Sequence, residues 1–459
     1  MSRLFGTDGV RGVANQTLTP ELALSLGLAA GRFVQEGGTA GTALIGLDTR
    51  RSGSMLGDAF AAGLAASGLD AACVGVVPTG LVSHAVRTGD FLLGAVVSAS
   101  HNPAPDNGIK LLGHDGRKLS EEGEKWIETA LGEPMANRPI GEGVGVVSDD
   151  REPVGDYLEF LAQIVPEGLS GLKVAVDGSN GAAYELGPEI LRRLGAQVMT
   201  IGCEPDGMNI NRGCGATHPT SIQEFTKSAG AEIGVAFDGD ADRVVFSDAR
   251  GRLINGDRTI AAWCSAHVRK GGLEPPTAVG TVMSNGGFEA YLDSVGIRLE
   301  RTAVGDKYVA RRMGETGARI GGEQSGHIIF ADRGVTGDGL VTAIEFLRVL
   351  KASGGSSAEL FELYEAWPQV LVNVTLPDRD ALARSEAFPL ALTDAERRLA
   401  GIGRINVRPS GTQPMVRVMV EAREIELRDE IAAALVSLLE RELAGSIYSR
   451  VDLTHSLGE

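Results

Sequence analysis

Short apolar runs separated by polar, glycine-rich turns recur along the chain. Ala43–Asp48 (ALIGLD), Ala71–Val77, Phe91–Val97 (FLLGAVV), Lys173–Asp177 (KVAVD), Gln197–Ile201, Ile233–Phe237 (IGVAF), Thr277–Val282 and Ile297–Thr302 each have strand length. Most are nearly continuous in Val, Ile, Leu and Ala rather than alternating, the pattern of strands covered on both faces. Helical segments lie between them. Glu21–Phe33 follows Thr19-Pro20, an N-cap with proline in the first turn. An Ala-rich helix follows the polar turn Thr49–Ser54 and runs to about Ala66; others end near Leu194 and Ser294.

Strand, polar turn, helix and strand recur three times, which predicts three related α/β units. From Val370 the texture shortens: a strand, a helix over Asp378–Leu399, a strand, the loop Arg408–Pro414, the strand Val416–Glu421 and a helix over Glu426–Leu443. That is a small α+β unit. Gly/Pro-rich or charged stretches at Gly132–Pro153, Asp248–Asp257 and Ser353–Pro368 divide the chain into 1–153, 154–257, 258–369 and 370–459. The turn opening GSNGAA (residues 178–183) lacks the G-x-G-x-x-G spacing, so no dinucleotide site is read there.

The 459 residues, 43% hydrophobic with 63 glycines, suffice for a large core built of tight strand–helix turns. A formal charge of −17 argues against a nucleic-acid or anionic-membrane surface, so an anionic substrate needs a locally basic cleft. Cys73, Cys203, Cys214 and Cys264 are scattered without a C-x-x-C, as expected of free thiols in a reducing compartment. The N-terminal MSRLFGTDGVRG has no apolar signal core, and no apolar run approaches the ~18 residues of a spanning helix. The expectation is a soluble cytoplasmic protein.

Four stretches carry candidate chemistry. Phe91–Val97 runs into Ser98-Ala99-Ser100-His101-Asn102-Pro103. Pro103 forbids a continuing central strand, and Asp106-Asn107-Gly108 reads as a turn before Lys110. A hydroxyl at a strand end beside His and Lys has the base and the cation a nucleophile needs. Ile233–Phe237 runs into Asp238-Gly239-Asp240-Ala241-Asp242-Arg243. Carboxylates at i, i+2 and i+4 point to one side and repel unless a cation sits among them. All-oxygen ligation suits Mg²⁺, Mn²⁺ or Ca²⁺, and an oxygen on a phosphorylated Ser100 would serve as a fourth ligand. An EF-hand is excluded, because its sixth position is Arg243 and its twelfth Ala249. Gly321–His327 (GGEQSGH) presents Glu323, Ser325 and His327, and Arg408–Arg417 (RPSGTQPMVR) sets two arginines around Ser-Gly-Thr. The first suits hydroxyls and an amino group, the second a phosphate; a polar turn is the alternative for both. Phe5–Gly12 (FGTDGVRG) reads as an N-terminal turn whose one cation is Arg11.

FGTDGVRG, SASHNP, DGDADR, GEQSGH and RPSGT, in this order and over nearly the whole chain, resemble the α-D-phosphohexomutase superfamily. FGTDGVRG, INRGCGATHP (Ile210–Pro219) and GEQSGH are most similar to the bacterial phosphoglucosamine mutases; glucose/mannose mutases typically carry Met where Gln324 stands. The resemblance implies three related α/β domains and a small C-terminal α+β domain around a central cleft. It implies a phosphoserine at Ser100, Mg²⁺ on Asp238, Asp240, Asp242 and that group, and Arg11, His101, Lys110 and His327 as catalytic groups. Glu323, Ser325, His327 and Arg243, with Gly305 and Asp306 of a V-G-D-K-Y stretch, would bind the sugar; Arg408, Ser410, Gly411, Thr412 and Arg417 would clamp the distal phosphate. The implied reaction interconverts glucosamine 6-phosphate and glucosamine 1-phosphate through a hexosamine bisphosphate, feeding UDP-N-acetylglucosamine and cell-wall precursor synthesis. A phosphoglucomutase/phosphomannomutase is the alternative. The implied partner is the phosphosugar alone, without nucleic acid or membrane, and a homodimer is compatible with it. Gln413 departs from the usual Glu, and Arg408-Pro409-Ser410 from Arg-Lys-Ser.

Overall fold

The computed structural model describes residues 4–6, 8–36, 41–131, 138–378, 381–409 and 414–458. The first sheet holds β1 (Val10–Val13), β2 (Thr42–Leu47), β3 (Asp70–Val76), β4 (Phe91–Val97), β5 (Asp106–Gly113) and β6 (Val147–Asp149), in the order β1-β5-β4-β2-β3-β6. Its β2, β3, β4 and β6 are parallel, while β5 runs antiparallel to both β4 and β1. The second sheet holds β7 (Lys173–Asp177), β8 (Gln197–Ile201), β9 (Ile233–Phe237), β10 (Val244–Asp248) and β11 (Leu253–Ile254), in the order β11-β10-β9-β7-β8. The third holds β12 (Thr277–Thr281), β13 (Arg298–Thr302), β14 (Ile320–Gly322) and β15 (Ile328–Phe330), in the order β13-β12-β14-β15. The fourth is antiparallel throughout: β16 (Gln369–Thr375), β17 (Gly403–Pro409), β18 (Met415–Ala422) and β19 (Ser446–Asp452), in the order β17-β18-β16-β19.

Local sequence explains the elements that position the site. Thr19 caps the helix Pro20–Gln35, its hydroxyl accepting the Leu22 amide at 3.3 Å. In the helix Gly53–Ser67, Leu56, Phe60 and Leu64 recur at i, i+4 and i+8 and are fully buried. Each contributes ~1.5–3 kcal/mol of apolar burial, fixing the helix over the sheet that carries β4.

Four expectations are corrected. Asp106-Asn107-Gly108 is not a turn: it opens β5, because Asn107 is fully buried, pairs with Gly12 of β1 and donates to Ser52 Oγ at 2.8 Å. The chain reverses just before it, where the Asp106 amide donates to the Pro103 carbonyl. Phe5–Gly12 is correspondingly only in part a turn, since Val10 onward forms β1. Arg408 and Pro409 belong to β17 rather than to a loop. The helix expected over Asp378–Leu399 is two, Ala381–Arg384 and Ala387–Leu399, and the edge strand β19 was not foreseen. Asn255 caps the helix Gly256–Arg269 that follows the second sheet.

Candidate active site

β4 delivers Ser98, Ala99 and Ser100 into the interior, where all three are buried. Ser100 has φ +50, a left-handed conformation that costs a residue with a β-carbon ~1–2 kcal/mol. A buried network holds it there. Arg50 Nη2 donates to the carbonyls of Ser100 (2.9 Å) and Asn102 (2.8 Å), and Nη1 to those of Pro103 (2.5 Å) and Asp106 (3.0 Å). Arg50 Nε is paired with Asp48 at 2.8 Å. Asp48 also accepts the Ser98 hydroxyl, and Ser98 Oγ accepts the Ser100 amide at 2.9 Å. From the second unit, Asn211 Nδ2 donates to the same two carbonyls, Ser100 (2.9 Å) and Asn102 (3.2 Å). Sequence reading missed Arg50 and Asn211, because these contacts span 50 and 111 positions of chain.

The acidic turn after β9 meets this loop. A β-carbon at Gly239 would stand 2.2 Å from the Ser100 carbonyl, so only glycine allows the approach. Ser100 Oγ donates to Asp238 Oδ2 at 2.6 Å and lies 3.3 Å from His101 Nδ1. Asp238, Asp240 and Asp242 are buried, with ligand oxygens within 4.8 Å of one another. Burial and the two neighbouring carboxylates push Asp238 well above the usual carboxylate range. Burial acts the same way on Asp242, but Lys110 and His327 outweigh it and hold that carboxyl well below. Asp240 Oδ1 and Asp242 Oδ1 are buried without a hydrogen-bond partner among the described residues. Three carboxylates with open oxygens fit a hard divalent cation.

Beside the triad runs a chain of alternating charge. Lys110 Nζ lies 3.1 Å from Asp240, 3.4 Å from Asp242 and 3.3 Å from Asp8. Lys118 Nζ lies 2.6 Å from both Asp8 and Asp306. His327 stands between the two ends: Nδ1 lies 3.6 Å from Asp242, and Nε2, 3.8 Å from Asp306, accepts the Gly337 amide at 3.1 Å. Burial opposes a charged Lys110, yet its three carboxylates hold the ammonium well above its ordinary pKa. Arg11 pairs with Asp8, whose carboxyl lies below its usual range because Lys110, Lys118 and Arg11 overcome its burial. Asp8 and Lys118 were not singled out from sequence; an alternation of charge that only assembly creates leaves no local signal.

The structure also brings GEQSGH and the V-G-D-K-Y stretch together: the Gly305 amide donates to Glu323 Oε1 at 2.9 Å. The Val244 amide donates to the Gly326 carbonyl, tying this loop to the strand after the triad. Ser325 is buried, and the Arg243 amide donates to Asp238 Oδ1 at 3.1 Å.

In the fourth sheet Arg408 of β17 stands directly opposite Arg417 of β18. Burial and the Arg417 charge lower the Arg408 pKa, and Arg417 Nε is buried without a partner among the described residues. Like charges at facing positions are unfavourable unless an anion joins them. Ser410, Gly411, Thr412 and Gln413 lie outside the described residues. Among the described residues no hydrogen bond or ion pair joins the two arginines to the Ser100 cluster.

Four family models match in order: phosphoglucomutase/phosphomannomutase alpha/beta/alpha domain I at residues 2–138, domain II at 155–251, domain III at 255–367, and the C-terminal domain at 371–438. A phosphoglucosamine mutase of Bacillus subtilis is 44% identical over 96% of this chain and 99% of its own. A phosphoglucomutase/phosphomannomutase family protein of Burkholderia thailandensis has a similar structure, with a TM-score of 0.80 at 26% identity over 97% of this chain and 99% of that one. An Aspergillus fumigatus N-acetylphosphoglucosamine mutase, solved with GlcNAc-6P and magnesium, shares the fold with a TM-score of 0.70 at 19% identity over 96% of each chain.

Proposed function

The chain belongs to the phosphoglucomutase/phosphomannomutase family, and from that premise we propose that it is a phosphohexomutase interconverting glucosamine 6-phosphate and glucosamine 1-phosphate. The observation that carries this reading is Ser100 Oγ, set 2.6 Å from Asp238 within a buried acidic triad. Phospho-Ser100 gives its phosphoryl group to a sugar hydroxyl: the new O–P bond forms as the Ser100 Oγ–P bond breaks, and the hydroxyl proton passes to a base. The bisphosphate turns end over end, and its other phosphate returns to Ser100. A divalent cation on Asp238, Asp240 and Asp242 would offset charge on the transferring group.

This chain's own residues supply the rest. Lys110, held among Asp8, Asp240 and Asp242, is placed to offset phosphoryl charge. His327, whose Nδ1 faces Asp242 at 3.6 Å while Nε2 accepts the Gly337 amide at 3.1 Å, is the proton carrier in this reading. Arg11 and His101 stand by the phosphoryl group, and Arg243, Gly305, Asp306, Glu323 and Ser325 receive the sugar. Arg408 and Arg417, with residues 410–412, clamp the far phosphate in either orientation. No helix among the described residues is long and apolar enough to cross a membrane, and all four cysteines are free; we place the enzyme in the cytoplasm.

The test is turnover of glucosamine, glucose and mannose phosphates by the purified protein, with intact-mass analysis before and after Ser100→Ala. Preference for the amino sugar and one phosphoryl group lost with Ser100 are expected. Equal turnover of glucose phosphate, or a phosphoryl group on Ser98, would overturn the assignment.

A further inference from the structure

Residues 453–458 leave the fourth sheet after β19 and run back over the other units. Leu453 is fully buried in a small cluster with Met283, Leu371 and Met419. Thr454 Oγ1 accepts the Gln369 amide at 3.0 Å, and the His455 ring lies against Phe361. The Ser456 carbonyl accepts Asn255 Nδ2 at 2.9 Å, from the residue that caps the helix Gly256–Arg269. Leu457 packs on the second unit's cluster around Ala216, Ile222 and Leu253. Gly458 then lies on Gln324: with φ +78, a β-carbon there would stand 2.2 Å from Gln324 Oε1.

Gln324 sits between Glu323 and Ser325 and is 2% exposed. Its backbone carbonyl accepts the Gly256 amide, and its side chain lies near enough to the Asp257 carboxyl to favour the ionised form. Yet neither amide atom makes a well-formed hydrogen bond among the described residues. A buried amide held only loosely beside Asp257 depends on what covers it for where it rests. The cover is the segment ending at Gly458. Beside that segment a cavity of about 790 Å³ opens between the third and fourth units, lined in part by Arg258, Tyr364, Trp367, Arg423 and His455. Elsewhere the fourth unit is tied to the third by Glu421, which accepts the Gly286 amide at 2.6 Å, and by Arg404, which donates to the Val282 and Ser284 carbonyls; residues 453–458 are the attachment that reaches Gln324.

We propose that residues 453–458 form a strap through which the fourth unit positions the Gly322–His327 loop, with Gln324 as the positioning residue beneath it. The kinetic consequence rests on the sugar-reading role given above to Glu323 and Ser325; the structural one does not. The experiment compares four forms with wild type: deletion of residues 454–459, Gly458→Ala, Gln324→Met, and the deletion combined with Gln324→Met. Hydrogen exchange without substrate should show residues 322–327 losing protection in the deletion and in Gly458→Ala. KM for glucosamine 6-phosphate should rise about tenfold with kcat within about twofold, as for lost positioning rather than lost chemistry. The combined form should be no worse than the poorer of its parents, because one change acts through the other. Unchanged exchange at 322–327, or additive losses in the combined form, would overturn the strap. Altered exchange with an unchanged KM would leave the strap standing and overturn the sugar-reading role instead. Should the deletion fail to fold, Gly458→Ala carries the same readouts alone.

Discussion

Replacing Arg50 with lysine tests whether loop geometry, rather than the presence of a serine, sets the rate. Arg50 makes four bonds to carbonyls and one to Asp48. An ammonium has three donors, so a lysine in its place can serve Asp48 and at most two carbonyls. The Ser100 and Asn102 carbonyls keep Asn211 as a second donor and the Pro103 carbonyl keeps the Asp106 amide, which leaves the Asp106 carbonyl most exposed to the loss. Two charge-assisted bonds at ~1.5–3 kcal/mol each give ~3–6 kcal/mol of loop ordering, less whatever water restores. Lysine keeps the charge opposite Asp48, so the pair is not left uncompensated. The left-handed Ser100 should then relax and shift its Oγ relative to Asp238. A misplacement of ~1 Å costs about a hundredfold in rate, so kcat should fall by about that factor while KM changes little. Steady-state kinetics on glucosamine 6-phosphate and a thermal melt are the assays. A variant with a clearly lowered melting temperature but kcat within threefold of wild type would refute the reasoning, because loop ordering would then be structural only.

Asp240→Asn should lose divalent-cation binding, measured by calorimetry, and turnover by roughly a hundredfold or more, with the fold intact because the amide oxygen, placed where Oδ2 now stands, can still accept from Thr79 and Lys110; full turnover in excess chelator would contradict this. Glu323→Gln keeps an acceptor for the Gly305 amide but drops the charge, so it should cost glucosamine 6-phosphate ~1.5–3 kcal/mol in kcat/KM relative to glucose 6-phosphate; equal losses would mean that Glu323 reads a hydroxyl. Asp338 caps the helix Gly339–Ser353, accepts the Tyr157 hydroxyl, and is pushed by burial up to about 6. The native state therefore binds the extra proton between about pH 4 and 6; the stabilisation this gives is complete below pH 4 and lost as pH rises through 6. Asp338→Asn should flatten that slope and shift the urea midpoint upward at pH 7.5 but not at pH 4; a downward shift at both would show that the charge is favourable where it sits.

What was legible in the sequence is what is local. Phe91–Val97 and Ile233–Phe237 form strands with the expected bounds because uninterrupted apolar runs leave no other burial. The triad was legible because three carboxylates at alternate positions need a partner wherever they go. Asp106-Asn107-Gly108 misled because turn chemistry there is overridden by tertiary pairing: Asn107 spends its amide on Ser52, and β1 supplies the register. β19 was missed because an edge strand with exposed Ile447 and Tyr448 lacks the apolar continuity that marked the others. Arg50, Asn211, Asp8 and Lys118 reach the site through residues brought from elsewhere in the chain.

The electrostatics follow from that division. The net charge of −17 predicts a locally basic cleft for an anionic substrate, and around Ser100 the structure is not basic. Asp8, Asp238, Asp240, Asp242 and Asp306 are met by Lys110, Lys118, Arg11 and Arg243, with His327 set between Asp242 and Asp306. Such a site is close to neutral, so a dianionic phosphoryl group on Ser100 is in excess there. The acidic triad resolves this if it takes up a divalent cation, which restores balance only where phosphate is to be held. Among the described residues, Arg408 and Arg417 face each other with no carboxylate paired to either. On the proposed mechanism these two places would hold the two phosphates of one substrate: a balanced one where the phosphoryl group is transferred, and a cationic one where the other is gripped and released without chemistry.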